Sequence, residues 1–200
     1  MHTYIAITGA GGIGKTTTLS WLNGYFKDYM PVVILPDFID PLDLERPIED
    51  IIHFLFLQKL KRNFIIQEYI NNKTVVFCDR TCLDPLALAM TLLSERKWKA
   101  IEDLHNREKY IYGHHILLKA PHSVIRERRI KRGSDPRSSF LVSFNISQSQ
   151  YEKRYEECWR FIHKARNIKF YEVDFSSENP EVNLERLMNV INPLINIWKL

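Results

Sequence analysis

The chain is short of the residues that cross-link small domains. Its three cysteines, Cys78, Cys82 and Cys158, are odd in number and follow no CxxC spacing. That pattern argues against a disulfide framework or a thiolate zinc site and suits a reducing compartment. No apolar run approaches the roughly 20 residues needed to cross a bilayer. The opening stretch MHTYIAITGAGG lacks a basic segment ahead of an apolar one, so no secretory signal is expected and the reading is cytoplasmic. No repeat, low-complexity tract or linker interrupts the 200 residues, which are therefore read as one domain, 1–200, long enough to bury a core. A guanine-reading NKxD motif is also absent, which argues against a small GTPase.

Glycine is scarce too, and its placement is uneven. Of seven glycines, four fall at positions 9, 11, 12 and 14. Glycine is costly to order, so such a cluster marks backbone that must bend sharply or approach something closely. Charge is likewise local. The formal net charge is +4, with basic residues gathered in RERRIKRGSDPR at 126–137. A compact polyanion such as a nucleotide phosphate fits a local cluster at least as well as a nucleic acid does.

Short β-branched or apolar runs occur at 3–8, 32–35, 74–78, 115–119 and 168–173. Between them lie stretches with helical spacing at 15–27, 46–71, 84–109, 122–132, 147–166 and 181–198, the third read as one helix or two. In 46–71, Ile48, Ile51, Ile52, Leu55, Leu60, Phe64 and Ile65 are expected near one face. Continuous apolar strands alternating with helices predict an α/β fold, a three-layer α/β/α sandwich around a five-stranded parallel sheet. Ligands of such sheets collect at the carboxyl ends of the strands. Here those ends carry Thr8-Gly9, Pro36-Asp37, Asp79-Arg80, Lys119-Ala120 and Val173-Asp174.

Residues 9–16, GAGGIGKT, satisfy G-x-x-x-x-G-K-[ST] between a strand and a helix. Inward-turned N–H groups form an anion nest that a Cβ would obstruct, and the following helix adds its positive end. Gly9, Gly11, Gly12, Ile13, Gly14, Lys15, Thr16 and Thr17 are therefore the expected ATP-binding segment. Lys15 reaches the terminal phosphates and the Thr16 hydroxyl holds Mg2+, while Thr17 continues into the first helical turn. In VVFCDR, Asp79 ends a buried strand beside this loop, where an acid can organise the metal. Arg80 can grip a phosphate or brace Asp79.

These residues resemble the thymidylate kinase family and, more loosely, its deoxynucleoside kinase relatives. The resemblance runs through GAGGIGKTT, VVFCDRTCLDPLALA, and RRIKRGSDPR followed by SQSQYEKRYEECW. It implies a P-loop kinase using ATP and Mg2+, with a helical lid at about 126–147 closing over the nucleotide. It further implies phosphate transfer to a nucleotide or nucleoside, and a homodimer built from helices packed side by side. The chain departs from the family at Gly11, where Asp is usual, and at Leu35-Pro36-Asp37, where Arg-Glu-Pro is usual. Thr81 replaces an aromatic residue, and Ala87-Leu88-Ala89 replaces Ala-Tyr-Gln. Phe54 coincides with the base-stacking phenylalanine. Gln58 stands where a phosphate-contacting arginine is usual, and Arg62 follows one turn later.

The acceptor side is drawn from these positions. Phe54, Gln58, Arg62 and Arg80 are the expected substrate contacts. Asp37 lies where deoxynucleoside kinases place the carboxylate that takes the sugar hydroxyl's proton. Arg129 and Arg132 of the basic segment are the expected lid arginines facing the transferring phosphoryl group, and Arg126 and Arg128 are read as exposed. With Lys15, Asp37, Asp79 and Arg80 they form the expected catalytic set. The leading expectation is ATP-dependent phosphorylation of a deoxynucleoside monophosphate, with no membrane or nucleic-acid partner. Two alternatives stay open: a deoxynucleoside kinase with Asp37 as base, and a P-loop ATPase that is not a kinase.

Overall fold

The computed structural model describes residues 3–37, 46–131, 133 and 146–195. Five strands, β1 (Tyr4–Thr8), β2 (Val32–Leu35), β3 (Val75–Asp79), β4 (His114–Lys119) and β5 (Phe170–Asp174), form one sheet in the order β2-β3-β1-β4-β5. Every adjacent pair is parallel. Among the described residues seven helices follow or separate them: α1 (Lys15–Phe26), α2 (Ile48–Asn71), α3 (Asp84–Leu92), α4 (Glu95–Arg107), α5 (His122–Lys131), α6 (Gln148–Ala165) and α7 (Pro180–Ile195).

Side chains alternate across each strand, and both faces are covered. Ile5 and Ile7 of β1, Val75 and Phe77 of β3, and Ile116 and Leu118 of β4 pack with Leu19, Leu22 and Phe26 of α1 and with Leu187 and Ile191 of α7. On the opposite face Tyr4, Ala6, Val76 and Cys78 meet Ile66 of α2. Leu117 of β4 joins a larger cluster there, formed by α2, α3, α4 and α6 around Trp159. Two-sided burial is why these strands read as continuous apolar runs rather than as an alternating pattern. The architecture is the expected three-layer α/β/α sandwich.

The stretch expected as one helix or two, 84–109, is two, because the chain leaves helical geometry at Leu93, which is extended, and restarts at Ser94. Helix α6 starts on a reciprocal cap, with the Gln150 N–H donating to Ser147 Oγ and the Ser147 N–H to Gln150 Oε1.

Helix α2 departs from expectation in its second half. Its buried line runs Ile48, Ile51, Ile52, Leu55, Phe56, Lys59, Arg62 and Ile66. Leu60 is half-buried, while Phe64 (71% exposed) and Ile65 turn to solvent. Two cations thus occupy the inward stripe where aliphatic residues were expected, and they do so where α2 passes the ends of β2 and β3.

Candidate functional site

The loop between β1 and α1 is built on glycines in conformations that other residues avoid. Gly9 and Gly12 have φ of 145° and 86°. A Cβ on Gly9 would lie 2.7 Å from the Leu118 carbonyl oxygen, and one on Gly12 would lie 2.7 Å from Arg129 Cγ. Helix α1 opens on Gly14, which offers no side-chain cap, and its first turn holds no acidic residue. Its leading N–H groups are therefore not engaged by a capping side chain, which suits an anion at the helix end. Ile13 is buried in the core, and Thr16 and Thr17 are exposed at the mouth.

Three cations are already directed onto this loop. The buried Lys15 Nζ donates to the Gly9 and Ala10 carbonyls at 3.0 and 3.1 Å. Arg129 donates through Nε (2.8 Å) and Nη2 (2.5 Å) to the Gly11 carbonyl, and its Nη2 also meets Glu152 Oε1 at 2.7 Å. Arg128, expected to be exposed, instead donates to the Ile13 carbonyl at 3.2 Å and the Ser177 carbonyl at 2.8 Å. It ties the loop to the segment after β5. Arg126 is exposed, as expected. Arg132 and residues 134–145, the greater part of the expected lid, lie outside the described residues.

The second half of the site joins the ends of β2 and β3. Asp37 is contacted by three cations: Lys59 on Oδ1, Arg62 Nη2 on Oδ1 at 3.3 Å, and Arg80 Nε on Oδ2 at 3.1 Å. Burial pushes the Asp37 pKa up, but Lys59, Arg80 and Arg62 outweigh it and hold the carboxyl below its ordinary value. Arg62 is anchored further by donating to the Asp79 carbonyl at 2.7 Å and the Pro36 carbonyl at 2.6 Å. Its guanidinium therefore braces the ends of the two strands. Arg80 has φ of 68°, an uncommon conformation for a bulky residue, and its N–H donates to the Ile7 carbonyl at 2.8 Å.

Below Arg80 lies a buried carboxylate, Asp84. It accepts from Thr8 Oγ1 and from both Thr81 N and Thr81 Oγ1, each at 2.5 Å, and from the Tyr155 hydroxyl. Arg80 Nη1 adds a contact at 3.4 Å. Burial raises its pKa, yet Arg80 and these hydroxyl donors reverse the shift and hold it at about 2. Asp84 is thereby a fixed negative post that orients Arg80 toward Asp37.

Asp79 differs from both. Its pKa is raised, because burial outweighs the pull of Lys15 and Arg80, and its Oδ1 is buried without a hydrogen-bond partner among the described residues. An orphaned buried carboxylate oxygen at a strand end beside the glycine loop fits a divalent cation or its water shell. Thr16, exposed in the first turn of α1, adds a hydroxyl oxygen, and an all-oxygen donor set of this kind suits Mg2+.

Phe54 and Gln58 are half-buried one turn apart on α2, and the Gln58 carboxamide makes no hydrogen bond among the described residues. Phe56 instead packs edge-on to His105 and Tyr110. The structure thus gathers Lys15, Asp37, Asp79, Arg80 and Arg62 at the carboxyl ends of β1, β2 and β3 and sets Arg129 over the glycine loop. Sequence reading passed over Lys59, Asp84 and Glu152. Lys59 had a signal, since Leu55, Lys59, Arg62 and Ile66 repeat at helical spacing. Asp84 had one as well, in the Thr81-x-x-Asp84 spacing at a helix start.

No family model matches the chain, nor does any curated protein sequence. Among solved structures it is similar to a deoxyadenosine kinase from M. mycoides with bound dATP, at a TM-score of 0.67 and 19% identity. The alignment covers 96% of this chain and 100% of that one. A second structure of deoxyadenosine kinase from M. mycoides, with the products dCMP and a flexible dCDP bound, aligns at a TM-score of 0.64 and 17% identity with the same coverage. The fold is therefore the parallel α/β fold of these two deoxyadenosine kinase structures.

Proposed function

We propose that the protein is an ATP- and Mg2+-dependent phosphotransferase whose acceptor is a deoxynucleoside hydroxyl. One observation carries the choice of acceptor. Asp37 has two donors on Oδ1 and one on Oδ2 among the described residues. A carboxylate offers about four lone-pair positions, so one on Oδ2 is left for a single hydroxyl proton. A monophosphate is already ionised and needs no such base. The dATP, dCMP and dCDP named for the similar structures are all deoxynucleotides, which fits a deoxynucleoside or a deoxynucleotide acceptor.

Each group then has a task. Lys15 and the N-terminus of α1 hold the terminal phosphates of ATP, and Arg129 supplies positive charge over them. Magnesium held by Thr16 and Asp79 would supply neutralisation of the phosphate oxygens. Arg80, in reach of Asp37, aligns the acceptor with the carboxylate. Phe54 and Gln58 face the acceptor's base, by stacking and by an amide hydrogen bond. As the acceptor oxygen bonds to the γ-phosphorus, its proton passes to Asp37 Oδ2 and the bond from phosphorus to ADP breaks.

A second reading has its own support. Lys15, Lys59, Arg62 and Arg80 outnumber Asp37, Asp79 and Asp84 among the buried or half-buried charges here, and such a surplus also suits a deoxynucleoside monophosphate. A panel of deoxynucleosides and their monophosphates with γ-labelled ATP separates the two. Labelled monophosphate product from a nucleoside is expected. Label appearing only in diphosphates would transfer the assignment to the second reading.

A further inference from the structure

We propose that Lys59 is a positioning residue for the acceptor carboxylate: it secures Asp37 Oδ1 from the α2 side so that the open lone pair of Oδ2 faces the incoming hydroxyl. This rests on Asp37 acting as the proton acceptor. Lys59 is 3% exposed, on a buried helix face that is apolar apart from it and Arg62. Its ammonium has three donors, yet its hydrogen bond among the described residues is to Asp37 alone. The other two cations on Asp37 are held independently, Arg62 by the Pro36 and Asp79 carbonyls and Arg80 by Asp84 and the Tyr155 hydroxyl. They would keep their places whether or not Asp37 were ionised. Lys59 is tied only to the carboxylate itself, and a buried lysine with no other anchor is costly unless its partner stays charged.

The surroundings leave few rival explanations. From α2, Asp37 faces Lys59 and Arg62; from the β3 end, Arg80 and the more distant Asp79; Asp84 of α3 and Lys15 of α1 stand behind these. Cys78, Cys82 and Tyr4 are nearby and neutral, their pKa values raised first of all by burial. None of these groups replaces a cation on Oδ1. Without Lys59 the carboxylate would keep only its two longer contacts, Arg62 on Oδ1 at 3.3 Å and Arg80 on Oδ2 at 3.1 Å.

The test compares wild type with Lys59→Met, Lys59→Gln, Lys59→Arg and Asp37→Asn, using a deoxynucleoside acceptor. Lys59→Met and Lys59→Gln are each expected to lower kcat at least tenfold with the KM for ATP within twofold. Their acid limb should move up by about one pH unit, as loss of a neighbouring opposite charge requires, and Lys59→Arg should restore much of it. Should Lys59→Met fail to fold, Lys59→Gln carries the comparison, and if neither folds, an Asp37→Asn, Lys59→Met double variant that is no more stable than Asp37→Asn overturns the proposal. A pH profile and kcat unchanged in Lys59→Gln also overturn it, while leaving Asp37 in place as base if Asp37→Asn is inactive. Full turnover by Asp37→Asn removes the reading beneath it instead.

Discussion

Single residues carry the glycine loop. Gly12 combines φ of 86° with a position that a Cβ would fill at 2.7 Å from Arg129 Cγ. Gly12→Ala is expected to lower stability by about 1–2 kcal/mol, the penalty for a left-handed non-glycine residue, and to push Arg129 off the Gly11 carbonyl. Urea denaturation read beside ATP affinity checks both parts, since affinity should fall further than the stability loss explains. The loop was legible from spacing alone, because the anion nest is a local backbone property. The partners of Asp37 were not. Lys59, Arg62 and Arg80 lie 22, 25 and 43 positions beyond it, and the pairing of β2 with β3 and the passage of α2 over their ends bring them together.

At the scale of elements, α2 shows what periodicity can and cannot deliver. The first half, through Leu55, packs as its apolar spacing predicts, because it has only other helices and the sheet to meet. Further along, the helix borders charged strand ends, so Lys59 and Arg62 turn inward and Phe64 and Ile65 outward. Two substitutions separate the faces. Ile66→Ala, at a position 4% exposed against the sheet, should cost about 2–5 kcal/mol. Phe64→Gln, at 71% exposure, should stay within about 0.5 kcal/mol. Equilibrium urea unfolding of both variants measures the contrast, and equal losses would place Phe64 against a partner. The strands were easier to read, since burial on both faces leaves an unbroken apolar run whatever lies above it.

For the whole molecule, buried histidines set the response to acid. His163 Nδ1 lies 2.8 Å from the Trp159 carbonyl, so it donates there, and Nε2 must accept from His115 Nδ1 at 2.7 Å. Burial lowers the pKa of His115 to about 3 and those of His163 and His105 to about 4. Below the unfolded value near 6.5 the unfolded chain binds protons that these rings refuse. Each histidine then removes up to about 1.4 kcal/mol per pH unit as pH falls toward its folded value. The lowered Asp84 and Asp37 add their losses only below about pH 4. Stability should be level from pH 8 to 7 and decline steeply between 6.5 and 5, as urea midpoints across that range would record. A flat profile down to pH 5 would mean that the histidines are hydrated or paired. At this same scale, the glycine loop, the Asp79 carboxylate and the Asp37 cluster gather at the carboxyl ends of β1, β2 and β3, the surface proposed to handle phosphate. Isothermal titration of folded wild type and Lys15→Met with ATP in excess Mg2+ tests that surface most directly: saturable heat in wild type, with affinity in Lys15→Met at least tenfold weaker, is the predicted result. Wild-type protein that takes up no ATP, or a Lys15→Met variant that binds it equally well, would contradict it.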